Sequence, residues 1–146
     1  MLLTWKRGFS VTEREVAQEA GGTFLYAYNA NNPLAGVEIA NFASKMNFVS
    51  EVPANYSPEN YFNLLESGPL WVGTAILSTS KPYGHVRVIS GLEGDGTFDG
   101  TILHLVDPDG GREYTESVAQ FGKELEVIAA AQGQGGDLFP QVIRLP

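Results

Sequence analysis

The sequence predicts an α+β fold, with a helical N-terminal half and an antiparallel sheet in the C-terminal half. Helix-capping signals recur before Gly68, whereas the chain after it is rich in β-branched residues and turn sequences. Because helices come first and strands later, the layout differs from alternating βαβ units. The length of 146 residues suits one domain, 1–146, with a core of its own.

The first helical signals lie close to the start of the chain. Residues 1–6 are good helix formers followed by a stop at Gly8. They are interpreted either as the end of a helix that begins upstream or as a short fraying turn. Ser10 and Glu13 have the spacing of a capping box, which predicts a helix from Ser10 to about Ala20.

Two Xaa-Pro pairs predict the next two helix starts. Asn32-Pro33 places a capping asparagine before a proline at the first helical position, and Ser57-Pro58 does the same with a serine. The second of these helices is expected to end at Gly68. The first should face the core with three apolar side chains at helical spacing, Ile39, Phe42 and Met46.

The C-terminal half is predicted to form four strands and one helix. The strand-like stretches are residues 69–76, 86–90, 101–106 and 141–145. Thr115 is expected to cap the helix, which has Val118, Phe121 and Leu125 on one face. Residues 129–137 are small and glycine-rich, and they are expected to form a loop.

The turn sequence around Asp95-Gly96 predicts a hairpin that brings a histidine to an aspartate. If the hairpin is symmetric about Gly96, Val88 lies opposite His104, and His85 lies opposite Asp107. Opposed side chains share a face of the sheet with Cβ atoms ~5 Å apart. A register slip of one residue would weaken this pairing.

An imidazole beside a carboxylate is two-thirds of a nucleophilic triad, because the carboxylate fixes the tautomer and orientation of the base. His85 and Asp107 are therefore the candidate catalytic residues. The alternative is a structural hydrogen bond at a strand end, or a turn cap by Asp107 alone. His104 is expected to be a core histidine on the other face of its strand from Asp107.

Composition limits the remaining functions. The chain has no cysteine, which excludes disulfides, thiolate metal sites and a cysteine nucleophile within these residues. A net charge of −8 argues against nucleic acid and anionic membranes as partners. The two histidines have no cluster of further metal ligands near them, and the acidic hairpin loop lacks the spacing of a calcium-binding loop. The sequence therefore predicts no metal ion and no cofactor.

The chain resembles bacterial papain-like cysteine peptidases over essentially its whole length. The resemblance rests on an ordered set of short motifs, Gly68-Pro69-Leu70-Trp71-Val72, residues 85–91, Gly94-Asp95-Gly96-Thr97, Asp99-Gly100-Thr101 and Asp107-Pro108. It implies the papain-like cysteine peptidase fold. It also implies that His85 is the catalytic general base and that Asp107 orients it.

The sequence departs from the family at the nucleophile. Met1-Leu2-Leu3-Thr4-Trp5 resembles the continuation of the helix that begins with the family's cysteine. The resemblance thus implies a fold lacking the start of the nucleophile helix, with the Cys about 10 Å along the helix axis before Met1. The Gln that helps to form the family's oxyanion hole is likewise expected outside this sequence. The chain is accordingly expected to be truncated at its N-terminus relative to the family.

Three hypotheses follow for the function. The first is the His–Asp half of a cysteine peptidase, inactive as given. The second is a natural non-catalytic papain-like module that binds a peptide or partner protein. The third is an unrelated α+β domain in which His85 and Asp107 do not meet. The expected partners are a peptide or protein, with self-association through the exposed N-terminal segment as a further expectation. The compartment is left open.

Overall fold

A computed structural model describes residues 1–34, 36–51, 53–76, 83–133 and 141–146. The helices are α1 (Leu2–Arg7), α2 (Glu13–Ala20), α3 (Gly22–Asn29), α4 (Gly36–Lys45), α5 (Pro58–Leu65) and α6 (Val118–Gly133). The strands are β1 (Val49–Ser50), β2 (Leu70–Ile76), β3 (Tyr83–Gly94), β4 (Thr101–Asp107), β5 (Arg112–Ser117) and β6 (Val142–Arg144). The α+β prediction is confirmed.

The strands form one six-stranded sheet in the order β1-β6-β2-β3-β4-β5. Every recorded pair of neighbours is antiparallel. The consecutive strands β2 to β5 form a meander, whereas β6 inserts between β1 and β2. The predicted closing strand at residues 141–145 is thus confirmed, and it lies inside the sheet.

Helices cover both faces of this sheet. On one face, α5 and α6 contribute Tyr61 and Phe121 to a core with Ile89 and Leu105 of the sheet. On the other face, Leu2 of α1 packs with residues such as Val88. Because neighbouring residues of a strand point to opposite faces, Val88 and Ile89 belong to different cores.

The N-terminal helices differ in detail from the prediction. The capping box of α2 is formed by Thr12 and Glu15, so the prediction of Ser10 as the cap is wrong. The helix predicted to open at Asn32-Pro33 begins at Gly36 instead. Ser57 caps α5 as predicted, with its hydroxyl accepting from the Asn60 amide. Helix α3 was not predicted.

The end of the chain departs further from the prediction. Thr115 lies within β5 opposite His104, and α6 begins at Val118, so the predicted helix cap at Thr115 is wrong. Residues 129–133 are helical rather than a loop, and residues 134–137 lie outside the described residues. Strands β1 and β5 were missed because a two-residue strand and a charged edge strand carry little apolar alternation.

The predicted register of the β3–β4 hairpin is wrong, by two residues at Val88 and by three at Gly91. Val88 lies opposite Val106, and His104 lies opposite Gly91. Two features move the register away from a turn centred on Gly96. The connecting loop spans residues 95–100, and the register shifts at a bulge between Ile89 and Gly91. On the Val88 side of the bulge, the shift of two residues leaves His85 and Asp107 on the shared face that was predicted for them.

None of the helices in the described part of the chain is long and apolar enough to cross a membrane.

Candidate active site

His85 and Asp107 meet at one end of the sheet. The Nε2 atom of His85 lies 2.9 Å from Oδ1 of Asp107, and the Asp107 side chain is 4% exposed. The two residues are not directly opposite, because the register Val88↔Val106 places Arg87, and not His85, level with Asp107. They meet because the two-residue shift leaves them on the same face, close enough for a diagonal contact. The predicted pair is therefore formed, although the predicted opposition of the two residues is wrong.

Both carboxylate oxygens of Asp107 are engaged. Oδ1 accepts a hydrogen bond from the Asp109 backbone amide at 2.9 Å, in addition to its contact with His85. Oδ2 accepts from the guanidinium of Arg112 at 3.3 Å, and Arg112 is the residue opposite Asp107 in β5. The predicted turn cap is thus present as well, and one side chain both caps the turn and contacts the histidine.

These contacts determine the charge of Asp107. Burial favours the neutral acid, but hydrogen bonds from the Asp109 amide and His85, together with the charges of His85 and Arg112, lower the pKa of Asp107 below its ordinary value. The carboxylate is therefore ionised at neutral pH and can only accept hydrogen bonds. Nε2 of His85 must be the donor in their contact, which fixes the imidazole as a proton donor to Asp107.

The pair lies where β3 and β4 separate. Within the described residues, the pairs between these strands start at Val88↔Val106 and continue toward the hairpin loop. Beyond that point β3 remains paired with β2, and β4 remains paired with β5 as far as Asp107↔Arg112. The contact between His85 and Asp107 therefore bridges two strands without a backbone ladder to hold them together.

A buried arginine lies next to the pair on the same face of β3. Arg87 is 1% exposed, and its guanidinium stacks 4.7 Å from the ring centre of Phe121. It donates hydrogen bonds to Thr74 and to the carboxylates of Glu116 and Glu124. Sequence reasoning missed this cluster, although a lone charged residue inside the apolar run of residues 86–89 was a signal for it.

His104 does not belong to this site. Its side chain is 45% exposed and lies 3.4 Å from Glu93 Oε1, so the prediction of a core histidine is wrong. The alternation along β4 places it on the opposite face from Asp107, as predicted. The hairpin loop of residues 95–100 sets the register that places Gly91 opposite His104, and a glycine offers no side chain to cover it.

An apolar groove lies between the sheet and the N-terminal helices, on the opposite face of the sheet from the pair. Its volume is about 270 Å³. Met1 and Leu3 line it from the start of the chain, Phe42 from α4, Val86 from β3 and Pro108 from the turn that follows β4. Val86 and Pro108 directly follow His85 and Asp107 in the chain. The two candidate residues are not part of its lining, because neighbouring residues of a strand point to opposite faces of the sheet.

Among the residues that the structure describes, no group of three His, Asp or Glu side chains is arranged to hold a metal ion.

The family model described as papain-like cysteine protease AvrRpt2 matches residues 1–126, most of the chain. No curated protein and no solved structure matches the sequence.

Proposed function

Since the chain belongs to the papain-like cysteine protease AvrRpt2 family, we propose that His85 is the general base of a cysteine peptidase and that Asp107 orients it. The observation that carries the proposal is the 2.9 Å contact between Nε2 of His85 and Oδ1 of Asp107. An ionised carboxylate on one ring nitrogen leaves the other, Nδ1, as the base of such a pair.

The proposed reaction is hydrolysis of a peptide bond through a thioester. His85 takes the proton of a cysteine thiol at Nδ1, and the thiolate attacks the peptide carbonyl carbon. The imidazolium then gives this proton to the leaving amine as the carbon–nitrogen bond breaks. Water, deprotonated by His85, hydrolyses the thioester. Asp107 stabilises the imidazolium throughout, and Arg112 and the Asp109 amide keep Asp107 ionised.

The 146 residues contain no cysteine, so we propose that they are inactive alone and carry the His–Asp half of the triad. Loss of a triad nucleophile lowers kcat on the order of 10⁶-fold. Two serines, Ser80 and Ser90, could be considered as replacement nucleophiles, but we do not propose that role for either. Ser80 lies outside the described residues, and the Ser90 hydroxyl contacts the backbone oxygen of His104.

The test uses the chain extended by the residues encoded directly upstream of its Met1 codon. If these include a cysteine, we expect iodoacetamide to label it rapidly at neutral pH, because His85 promotes the thiolate. His85→Ala should slow labelling by at least about tenfold, and His104→Ala should not change it. Equal labelling of the two variants would contradict the proposed role of His85.

The second candidate is a non-catalytic papain-like module that binds a peptide or partner protein. The apolar groove and the lack of a cysteine favour it. An in-frame stop codon directly upstream of Met1 would support this module, and an in-frame Gln and Cys would support the peptidase. For the module we also propose self-association through Met1 and Trp5, which are more than half exposed. A monomer in sedimentation at high concentration would contradict that part.

A further inference from the structure

Two pairs of strands diverge at the candidate active site. His85 belongs to the β2–β3 pair, because it lies opposite Thr74. Asp107 belongs to the β4–β5 pair, because it lies opposite Arg112. Past Val88↔Val106, no pairing between β3 and β4 is recorded in the described residues. Any movement between the two pairs of strands would therefore change the distance from the imidazole to the carboxylate.

The Arg87 side chain crosses this divergence. Its Nε atom donates to Oγ1 of Thr74 at 3.1 Å, and Thr74 is the residue paired with the histidine. Its Nη1 atom reaches β5, where it lies 3.2 Å from the Tyr114 hydroxyl and from both carboxylate oxygens of Glu116. Its Nη2 atom donates to Glu124 of α6. One side chain thus joins β2, β3, β5 and α6.

The planar guanidinium is well suited to holding several strands in fixed relative positions. Its donors are fixed in one plane, so the positions of its partners are fixed relative to one another. At 1% exposure, Arg87 has almost no competition from water for these hydrogen bonds. A buried ion pair is often no more stabilising than apolar side chains of the same volume, so stability alone does not account for an arginine here.

We propose that Arg87 is a positioning residue that holds the His85 imidazole against the Asp107 carboxylate by joining the β2–β3 pair to β5 and α6. The inference rests on the proposed function, because it gives Arg87 a role only through the His–Asp pair. Arg87 does not touch the reacting atoms.

The experiment measures the Nε2–H proton of His85 in the ¹⁵N-labelled 146-residue chain by NMR. A hydrogen bond to Asp107 slows exchange of this proton with water, and each opening of the pair exposes it. The chain has two histidines, so the exposed ring of His104 serves as the internal reference. Loss of the slowly exchanging signal in Asp107→Leu assigns it to the pair.

Arg87→Lys keeps a positive charge but cannot reach all four partners, so we expect exchange at His85 to accelerate by at least about tenfold. Tyr114→Phe removes a single acceptor on β5 and should accelerate exchange about threefold. Tyr114→Phe is the deciding variant if Arg87→Lys fails to fold. The matched control is Met46→Ala, which weakens the cluster of the N-terminal helices and leaves every Arg87 contact in place. It should not change exchange at His85.

Three outcomes would contradict the inference. A folded Arg87→Lys or Tyr114→Phe variant with unchanged exchange would show that the arginine does not hold the pair. Equal acceleration by Met46→Ala would show that Arg87 contributes only stability. If the unsubstituted chain gives no slowly exchanging signal that depends on Asp107, the His–Asp pair itself is absent, and the proposed function fails together with the inference.

Discussion

At the level of single residues, one oxygen atom of Asp107 has two functions. Oδ1 accepts from the Asp109 amide and from Nε2 of His85, whereas Oδ2 accepts from Arg112. The backbone amide is the more constrained of the two donors to Oδ1, because it is fixed by the turn that follows β4. The turn therefore determines which atom of the side chain faces the histidine.

This division of contacts predicts different results from two substitutions of Asp107. In Asp107→Asn, the Asp109 amide can donate only to the amide oxygen, so the oxygen continues to face His85. We expect the slow exchange of the His85 Nε2–H proton to be kept within about threefold in Asp107→Asn and lost in Asp107→Leu. Loss of the slow exchange in Asp107→Asn as well would indicate that the negative charge, rather than the turn, maintains the contact.

At the level of elements, the parts predicted correctly are those that short stretches of sequence specify. Ser57-Pro58 opens α5 because the cap and the proline act on the same helical turn. The His85–Asp107 contact was predictable because strand alternation with period two survives an even register shift. The position of β6 was not predictable, because its insertion beside β2 depends on contacts with residues about 70 positions earlier.

The start of α2 shows where local signals become ambiguous. Ser10 and Glu13 have the spacing of a capping box, and so do Thr12 and Glu15. The structure uses the second pair, whose carboxylate accepts from the Thr12 amide at 2.7 Å. A helix beginning two residues later still buries Ala17 and Ala20, so packing does not require the earlier start.

Substitution at the two candidate caps tests this choice. Thr12→Ala removes the acceptor for the Glu15 amide, so we expect it to lower the free energy of unfolding by about 1 kcal/mol. Ser10→Ala removes a hydroxyl from an exposed residue outside the observed capping box and should change stability by less than about 0.3 kcal/mol. Urea denaturation of both variants measures the difference. The reverse order of the two effects would assign the cap to Ser10.

At the level of the whole molecule, the packing of α6 on the sheet brings two glutamates, Glu116 and Glu124, to the guanidinium of Arg87. Arg87 contacts both Glu116 and Glu124, so the cluster has one negative charge in excess when both are ionised. Burial raises the pKa of Glu116 above its ordinary value, and the charge of Glu124 acts in the same direction, although Arg87 opposes both. Glu116 therefore binds its proton more tightly in the folded protein than in the unfolded chain.

Linkage gives the sign of the resulting pH dependence. The stability that Glu116 contributes is fully present below the ordinary glutamate pKa of 4.5 and is lost as the pH rises through the raised pKa of the folded protein. The lowered pKa of Asp107 acts in the opposite sense, because its contribution is present above the ordinary aspartate pKa of 3.8 and is lost as the pH falls further. The two groups therefore act in different pH ranges.

We expect Glu116→Gln to remove part of the decline in unfolding free energy that occurs as the pH rises above 4.5. Glu113→Gln is the control, since Glu113 is an exposed residue on the opposite face of β5. Unfolding free energies from urea titrations between pH 4 and 8 measure both variants. A parallel pH profile for Glu116→Gln and the unsubstituted chain would contradict the expectation.

The insertion of β6 between β1 and β2 also affects how the protein is made. During synthesis, β1 and β2 leave the ribosome long before the strand that joins them, so the edge of β2 that receives β6 lacks this partner until about 70 further residues have been made. We therefore expect the nascent chain to depend on chaperones until residues 142–144 have emerged, and the sheet to close only after that step.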